Sequence, residues 1–288
     1  MAEIINGKEV AAVKREQIKE TVAKINAQGK KIGLAVIIVG DNSASRIYVN
    51  NKKKACSEVG IASFEYALPE NTAEEELISL INKLNKDENV HGILCQLPLP
   101  GHINEKTVIE AIDPKKDVDA FHPVNTGHIM TGDYTFLPCT PAGIMEMLKY
   151  KNIDVCGKKC VVIGRSNIVG KPMALMLLKE NGTVTVCHSK TADLKKETLT
   201  ADILVAAVGI PKFVKADMVK SGAVVIDVGM DRDENGKLCG DVDFTEVEKK
   251  ASYITPVPGG VGPMTITMLL DNTVTAFKTY DKKTYSVK

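Results

Sequence analysis

Tyr48 and Lys52 stand four residues apart in a polar stretch with helical spacing, so on a helix the phenol and the amine share one face and meet. A lysine can carry a proton near neutrality when desolvation or a nearby positive charge favours its neutral form. The same residues also read as a solvated basic run, Lys52-Lys53-Lys54, beside an ordinary half-buried helix tyrosine. A second feature with chemical promise is Cys160 to Leu178, CVVIGRSNIVGKPMALMLL. Its β-branched run, glycine-bounded turn and resumed helical spacing spell strand, turn, helix. The helix N-terminus presents free N–H groups and a partial positive charge above the turn, which suits a phosphate.

The spacing Gly164-x5-Gly170 departs from the ordinary dinucleotide fingerprint G-x-G-x-x-G. It is no Walker A loop either. One residue too many separates the glycines, and Lys171 is followed by Pro172 where a metal-binding hydroxyl is needed. The segment therefore points to a dinucleotide rather than to kinase or ATPase chemistry, with a plain strand-to-helix turn as the alternative.

The elements that must position these groups form two α/β series. The first half reads as a helix over residues 8–28, a strand at Leu34 to Val39, a helix to Val59, a strand at Ile61 to Leu68, a helix opened by Thr72 with Glu75 as its capping box, and a strand at His91 to Leu97. Pro98 to Asn125 reads as irregular apart from a short helix at Glu105 to Ile112. Thr140-Pro141 then caps a helix to Lys149. Strands follow at residue 160, Thr183 to Cys187, Ile203 to Val208 and Ala223 to Val228. A rigid loop, Pro256 to Pro263, precedes a last helix over Met264 to Phe277, and the tail after Tyr280 reads as frayed.

The chain of 288 residues is long enough for two domains with full cores. Its 37 basic and 36 acidic side chains leave a net charge of +1, which offers no electrostatic reason for nucleic acid or an anionic membrane as partner. The seven cysteines are odd in number and contain no C-x-x-C, so they read as buried thiols of a reducing compartment. No apolar run approaches a membrane span and no signal core opens the chain, so the expectation is a cytoplasmic protein.

Four stretches taken together carry a resemblance: Tyr48-Val49-Asn50-Asn51-Lys52-Lys53-Lys54-Ala55, Gln96-Leu97-Pro98-Leu99-Pro100, Gly164-Arg165-Ser166-Asn167-Ile168-Val169-Gly170-Lys171-Pro172, and Pro258-Gly259-Gly260-Val261-Gly262-Pro263-Met264-Thr265. In this order the chain resembles the bifunctional methylenetetrahydrofolate dehydrogenase/methenyltetrahydrofolate cyclohydrolase family over nearly its whole length. One departure is Ala120, where that family usually has glycine. The resemblance implies an α/β fold of two domains with the active-site cleft between them. These are a folate domain at residues 1–139, joined by a returning C-terminal helix at 264–288, and a Rossmann-like parallel-sheet domain at 140–263. It implies oxidation of 5,10-methylenetetrahydrofolate with NADP⁺, hydrolysis of the methenyl product to 10-formyltetrahydrofolate at the same site, tetrahydrofolate derivatives as partners, a homodimer and no metal.

The resemblance also assigns roles. Lys52 becomes the proton carrier and Tyr48 the residue that stacks on the pterin. Gln96, at a strand's C-terminal end, holds the lysine without adding charge, or else satisfies the backbone of the proline turns. Asp119 becomes the carboxylate that orients the pterin, with Asp117 as the structural alternative. Gly164, Arg165, Ser166 and Gly170 would bind the nucleotide, joined by Val208 and Gly209 at the nicotinamide. His188, Ser189 and Lys190 stand where an NAD-selective fold often has an acidic residue, so with Arg165 they favour a 2′-phosphate. Gly259, Gly260, Pro263 and Thr265 would close on folate and nicotinamide, or form a rigid elbow. The rival expectations are a dehydrogenase lacking cyclohydrolase activity and a non-catalytic folate- or nucleotide-binding regulator.

Overall fold

The computed structural model describes the backbone of residues 1–285 and their side chains apart from Ala44 and 282–285. In chain order the elements are β1 (Glu3–Ile4), α1 (Gly7–Asn26), β2 (Gly33–Val39), α2 (Ser43–Val59), β3 (Ala62–Leu68), α3 (Glu74–Lys86), β4 (Gly92–Cys95), α4 (Glu105–Ala111), α5 (Pro123–Thr131), α6 (Cys139–Tyr150), β5 (Lys159–Ile163), α7 (Gly170–Lys179), β6 (Thr183–Cys187), α8 (Leu194–Thr198), β7 (Ile203–Ala206), β8 (Val224–Asp227), β9 (Asp231–Arg232), β10 (Leu238–Cys239), α9 (Phe244–Val247), β11 (Tyr253–Ile254) and α10 (Val261–Tyr285). None of these helices is long and apolar enough to cross a membrane.

The chain divides into two compact units. One comprises Met1–Ala12 with Thr140–Thr265, the other Val13–Cys139 with Ile266–Lys288. The second is built on a three-stranded parallel sheet ordered β3-β2-β4. Its central strand, GLAVIIV, is buried at every position, as expected for a strand covered on both faces. Leu77, Ile81 and Leu84 of α3 fall on one helical face and pack with Ala35, Ile37, Val39 and Ile93 of the sheet. Residues 116–118 run parallel beside β4, with Asp117 bridged to Ile93 and the Ile93 N–H donated to the Lys116 carbonyl at 2.7 Å.

The other unit holds a parallel sheet ordered β1-β11-β8-β7-β5-β6. β6 lies on one side of β5 while β7 lies on the other, so the strand order reverses at β5. Open α/β sheets bind ligands in the crevice at the C-terminal ends of such strands.

Several local expectations need correction. Residues 1–12 group with the six-stranded unit rather than with the first domain, because β1 pairs with β11 through Glu3 and Tyr253. Thr72 does not cap α3, since its hydroxyl donates to the Pro69 carbonyl at 2.7 Å and the helix opens after Ala73 with three glutamates in its first turn. Within the stretch read as irregular, α5 begins at Pro123, where a proline loses no hydrogen bond, and His122 Nδ1 accepts the Val124 N–H. Thr140 and Pro141 lie inside the first turn of α6 rather than ahead of it. The last helix starts at Val261, so Pro263 belongs to its first turn. Cys156 is exposed and Cys239 half-exposed, while the other five thiols are buried. The last helix continues through Tyr285, past both Phe277 and Tyr280 where it was expected to end and fray, and residues 286–288 lie outside the described residues.

Candidate active site

α2 is bounded at both ends by its own sequence. The Asn42 side chain accepts the Ser45 N–H at 3.0 Å, and Gly60 closes the helix in the left-handed conformation at φ 84°. The helix therefore presents Tyr48 and Lys52 on one face. Among the three successive lysines, Lys53 and Lys54 are exposed but Lys52 is only 8% exposed. This separates Lys52 from a solvated basic run. Its ammonium donates to Gln96 Oε1 at 2.9 Å, while Gln96 Nε2 donates to the Leu97 carbonyl at 2.6 Å and the Gln96 N–H to the Ile37 carbonyl. The amide thus does both things the sequence left open: it holds the lysine and it satisfies the turn before Pro98. Tyr48 is half-buried, and that burial pushes its phenol above the ordinary value.

Asp119 leaves the segment beside β4 at the same sheet end as Gln96. Burial pushes its carboxyl pKa up while the charge of Lys52 pulls it down, which puts the two groups in one field. Cys139 Sγ lies 3.6 Å from Asp119 Oδ1 and 3.4 Å from the Val118 carbonyl. Asn272 Nδ2 donates to the carbonyls of Val118 and Leu137, both at 2.8 Å, so α10 ties the residue before Asp119 to the segment that leads into α6. Asp117 is occupied differently. It is 2% exposed and accepts from the His122 N–H at 2.9 Å and from Asn125 Nδ2 at 2.8 Å, which ties it to the start of α5. Ala120 is fully buried with φ 59°, a backbone conformation that favours glycine. Cys95 is packed, its thiol pushed up to about 12 by burial.

The six-stranded unit gathers the remaining crevice residues. A Cβ on Gly164, at φ 124°, would stand 2.2 Å from the Ala207 carbonyl oxygen, and one on Gly170 would stand 2.3 Å from the Gly164 carbonyl oxygen. Only glycine permits these approaches, and they bring the turns after β5 and β7 together. Ser166 Oγ accepts the N–H groups of Val169 and Gly170 at 3.1 and 3.2 Å, while Arg165 is left exposed at the rim. The Gly164 N–H donates to the Cys187 carbonyl, so Arg165 and the turn of His188, Ser189 and Lys190 emerge side by side. Within that turn the Lys190 N–H donates to His188 Nδ1 and the His188 N–H to Thr191 Oγ1. Exposed basic and hydroxyl groups beside a glycine-walled turn fit a dinucleotide phosphate.

Two buried acidic residues organise this crevice, and of these Asp241 was not read from the sequence. Asp241, fully buried, accepts the Val208 N–H at 2.6 Å and the Ile210 N–H at 2.9 Å on either side of Gly209. Asp227 accepts the N–H groups of Gly229, Asp241 and Val242 at 3.0, 2.9 and 3.0 Å, which makes it structural. The signal that could have revealed them is the pairing of each acidic residue with a close glycine. A Cβ on Gly240 would meet Asp227 Oδ2 at 2.0 Å, and one on Gly229 would meet the Asp241 nitrogen at 2.4 Å.

Gly259 and Gly260 are buried against the opening of α1, where a Cβ on Gly7 would stand 1.8 Å from the Gly260 carbonyl oxygen. Thr265 and Thr140 hydroxyls share a hydrogen bond at 2.9 Å, and Pro263 lies in the first turn of α10. This stretch is tightly packed within its own unit.

The family models for the tetrahydrofolate dehydrogenase/cyclohydrolase catalytic domain and NAD(P)-binding domain match residues 5–119 and 138–281. The bifunctional protein FolD of Acetivibrio thermocellus is 62% identical over 277 residues, covering 96% of this chain and 97% of the relative. Among solved structures, the bifunctional FolD dehydrogenase/cyclohydrolase of Campylobacter jejuni superposes with a TM-score of 0.95 at 53% identity, covering 97% of this chain and 100% of its own. The Trypanosoma brucei methylenetetrahydrofolate dehydrogenase-cyclohydrolase, complexed with NADP cofactor and inhibitor, gives 0.93 at 41% identity, covering 97% and 98%. The chain belongs to the tetrahydrofolate dehydrogenase/cyclohydrolase family.

Proposed function

We propose that this chain oxidises 5,10-methylenetetrahydrofolate to the methenyl cation with NADP⁺ and hydrolyses that cation to 10-formyltetrahydrofolate, with Lys52 carrying the proton of the second step. The observation that carries this reading is the buried Lys52 held by the neutral Gln96 amide at 2.9 Å, on the same helix face as Tyr48. A carboxylate partner would fix the lysine as a cation. An amide orients the nitrogen without adding charge.

The residues at the switch point fit a dinucleotide, because Gly164 and Gly170 let the turns after β5 and β7 close on one another at the C-terminal ends of the strands. Bound NADP⁺ would accept the hydride. Arg165, Ser166, His188 and Ser189 would hold its phosphates and ribose, Gly164 and Gly170 would admit its backbone-facing atoms, and Val208 with Gly209 would bound the nicotinamide. Tyr48 and Asp119 would orient the pterin, by stacking and by accepting its N–H groups. Hydride transfer needs alignment and no proton shuttle. Hydrolysis differs. Water adds to the methenyl carbon and loses one proton to Lys52 Nζ in its neutral form; the lysine passes that proton to the ring nitrogen as the carbon–nitrogen bond breaks, and the remaining hydroxyl proton leaves to solvent as the formyl C=O forms. Buried thiols support a reducing, cytoplasmic setting, and the family resemblance supports a homodimer.

The test is Lys52→Met beside Lys54→Met, assayed for NADPH formation from methylenetetrahydrofolate and for nucleotide-free decay of the methenyl chromophore. Lys52→Met should lower cyclohydrolase by about 10²- to 10⁴-fold while dehydrogenase stays measurable and methenyltetrahydrofolate accumulates. The exposed Lys54 should be silent. Equal large losses in both reactions at Lys52 would make it a folate-positioning group, and a strong effect at Lys54 would mean the wrong lysine.

A further inference from the structure

We infer that Asp241 is the positioning residue of the nicotinamide wall of the crevice, acting wholly through the backbone of the turn after β7. This rests on the reading that the crevice takes NADP⁺. Strand order reverses at β5, so the turn after β7 forms one of the two walls that a ligand at the switch point must meet. That turn has little of its own to hold it. Gly209 sits at φ 67° with open space around its missing side chain, and Gly209 and Ile210 are exposed. What fixes its shape is one carboxylate, with Oδ2 on the Val208 N–H at 2.6 Å and Oδ1 on the Ile210 N–H at 2.9 Å. Both oxygens are engaged, one on each side of Gly209, so the turn cannot rotate without breaking a charge-assisted bond.

The anchor is itself anchored. Asp227, at the end of β8, accepts the N–H groups of Asp241 and Val242. The Asp241 carbonyl receives the Val214 N–H at 2.8 Å, and the Gly240 carbonyl receives the Lys212 N–H at 2.9 Å. Residues 240–242 thus bind the ends of β7 and β8 together, and Gly229 and Gly240 allow the carboxylates to come so close. Asp241 is fully buried beneath the turn and acts on the ligand only through Val208 and Ile210.

Asp241→Asn keeps the shape but turns an amide N–H against one backbone N–H. In the folded variant the NADP⁺ dissociation constant, read by quenching or by NADPH fluorescence, should rise about tenfold, the effect of one lost charge-assisted bond. Nucleotide-free cyclohydrolase should stay at the wild-type rate, which a general loss of structure would not allow. Asp241→Glu keeps the charge and shifts the turn, and should lie between the two. Wild-type NADP⁺ affinity in folded Asp241→Asn, parallel loss of both activities, or failure of both variants to fold would overturn the inference and leave Asp241 a stability residue. A wild-type chain that binds no NADP⁺ would instead overturn the functional reading.

Discussion

The two units use the same architecture, parallel strands covered by helices, but deliver chemistry by opposite means. In the three-stranded unit the candidate site consists of side chains: Lys52 on α2, Gln96 past β4 and Asp119 beyond the bridged segment, each held by another residue's polar group. In the six-stranded unit the crevice consists of backbone shape: glycines at 164 and 170 and a turn pinned by Asp241, with side chains only at the rim. A proton carrier must be one particular atom, whereas a long ligand needs a shaped surface lined by N–H groups. The first kind of site is broken by deleting an atom, the second by adding one.

The largest effect that would break this contrast from the nucleotide side is Gly164→Ala. A Cβ 2.2 Å from the Ala207 carbonyl forces the two turns apart, and φ 124° strains the alanine itself. Strain of about 1–3 kcal/mol corresponds to roughly 5- to 150-fold in the KM for NADP⁺. Steady-state dehydrogenase kinetics should register it while nucleotide-free cyclohydrolase persists; an unchanged KM would remove Gly164 from the crevice.

Titration sharpens the comparison with a smaller effect of opposite sign in each unit. His91 is buried with Nδ1 accepting the Gly33 N–H and its ring edge-on to Phe277, and burial, aided by the Lys116 charge, lowers its pKa from 6.5 to about 4. Its stability contribution is present above pH 6.5 and is lost as pH falls toward 4. Asp227 is raised from 3.8 to about 7, chiefly by burial, so its contribution is present below pH 4 and is lost as pH rises through 7. Each should amount to about 1–2 kcal/mol after solvent screening. Protection factors from native-state hydrogen exchange at pH 4.5 and 7.5 should therefore move in opposite directions in the two sheets. A common direction would mean that other groups govern both.

Ala120→Gly is the smallest test. Relief of the left-handed strain and the loss of one buried methyl nearly cancel, so stability should change by less than about 1 kcal/mol. Both activities should stay within about twofold, by melting and paired assays, unless the turn carrying Asp119 depends on the methyl.

What was legible in the sequence follows the same divide. The longer strands were, with Thr183–Cys187 found at its full bounds although this edge strand is largely exposed, because each is a short run rich in β-branched residues between turns; the two-residue strands β1, β9, β10 and β11 were not. Lys52 and Gln96 were brought forward by motif resemblance, and their contact spans 44 residues. Neither the hydrophobic period nor local spacing encodes such a meeting. Asp241 went unread because its partners are backbone N–H groups, and those carry no sequence identity until the strand order is known. Thr72 shows the local limit: the capping pattern was present, but the Pro69 carbonyl competed successfully for its hydroxyl.

The proposed division of labour puts proton handling and nucleotide binding in separable parts of one chain. It is tested most directly by assaying nucleotide-free methenyltetrahydrofolate hydrolysis and NADP⁺-dependent oxidation on Lys52→Met and Gly164→Ala side by side. A crossed result is expected: Lys52→Met loses hydrolysis by about 10²-fold or more while oxidation remains measurable, and Gly164→Ala weakens oxidation through NADP⁺ while hydrolysis is retained. Parallel losses of both activities in both folded variants would contradict it.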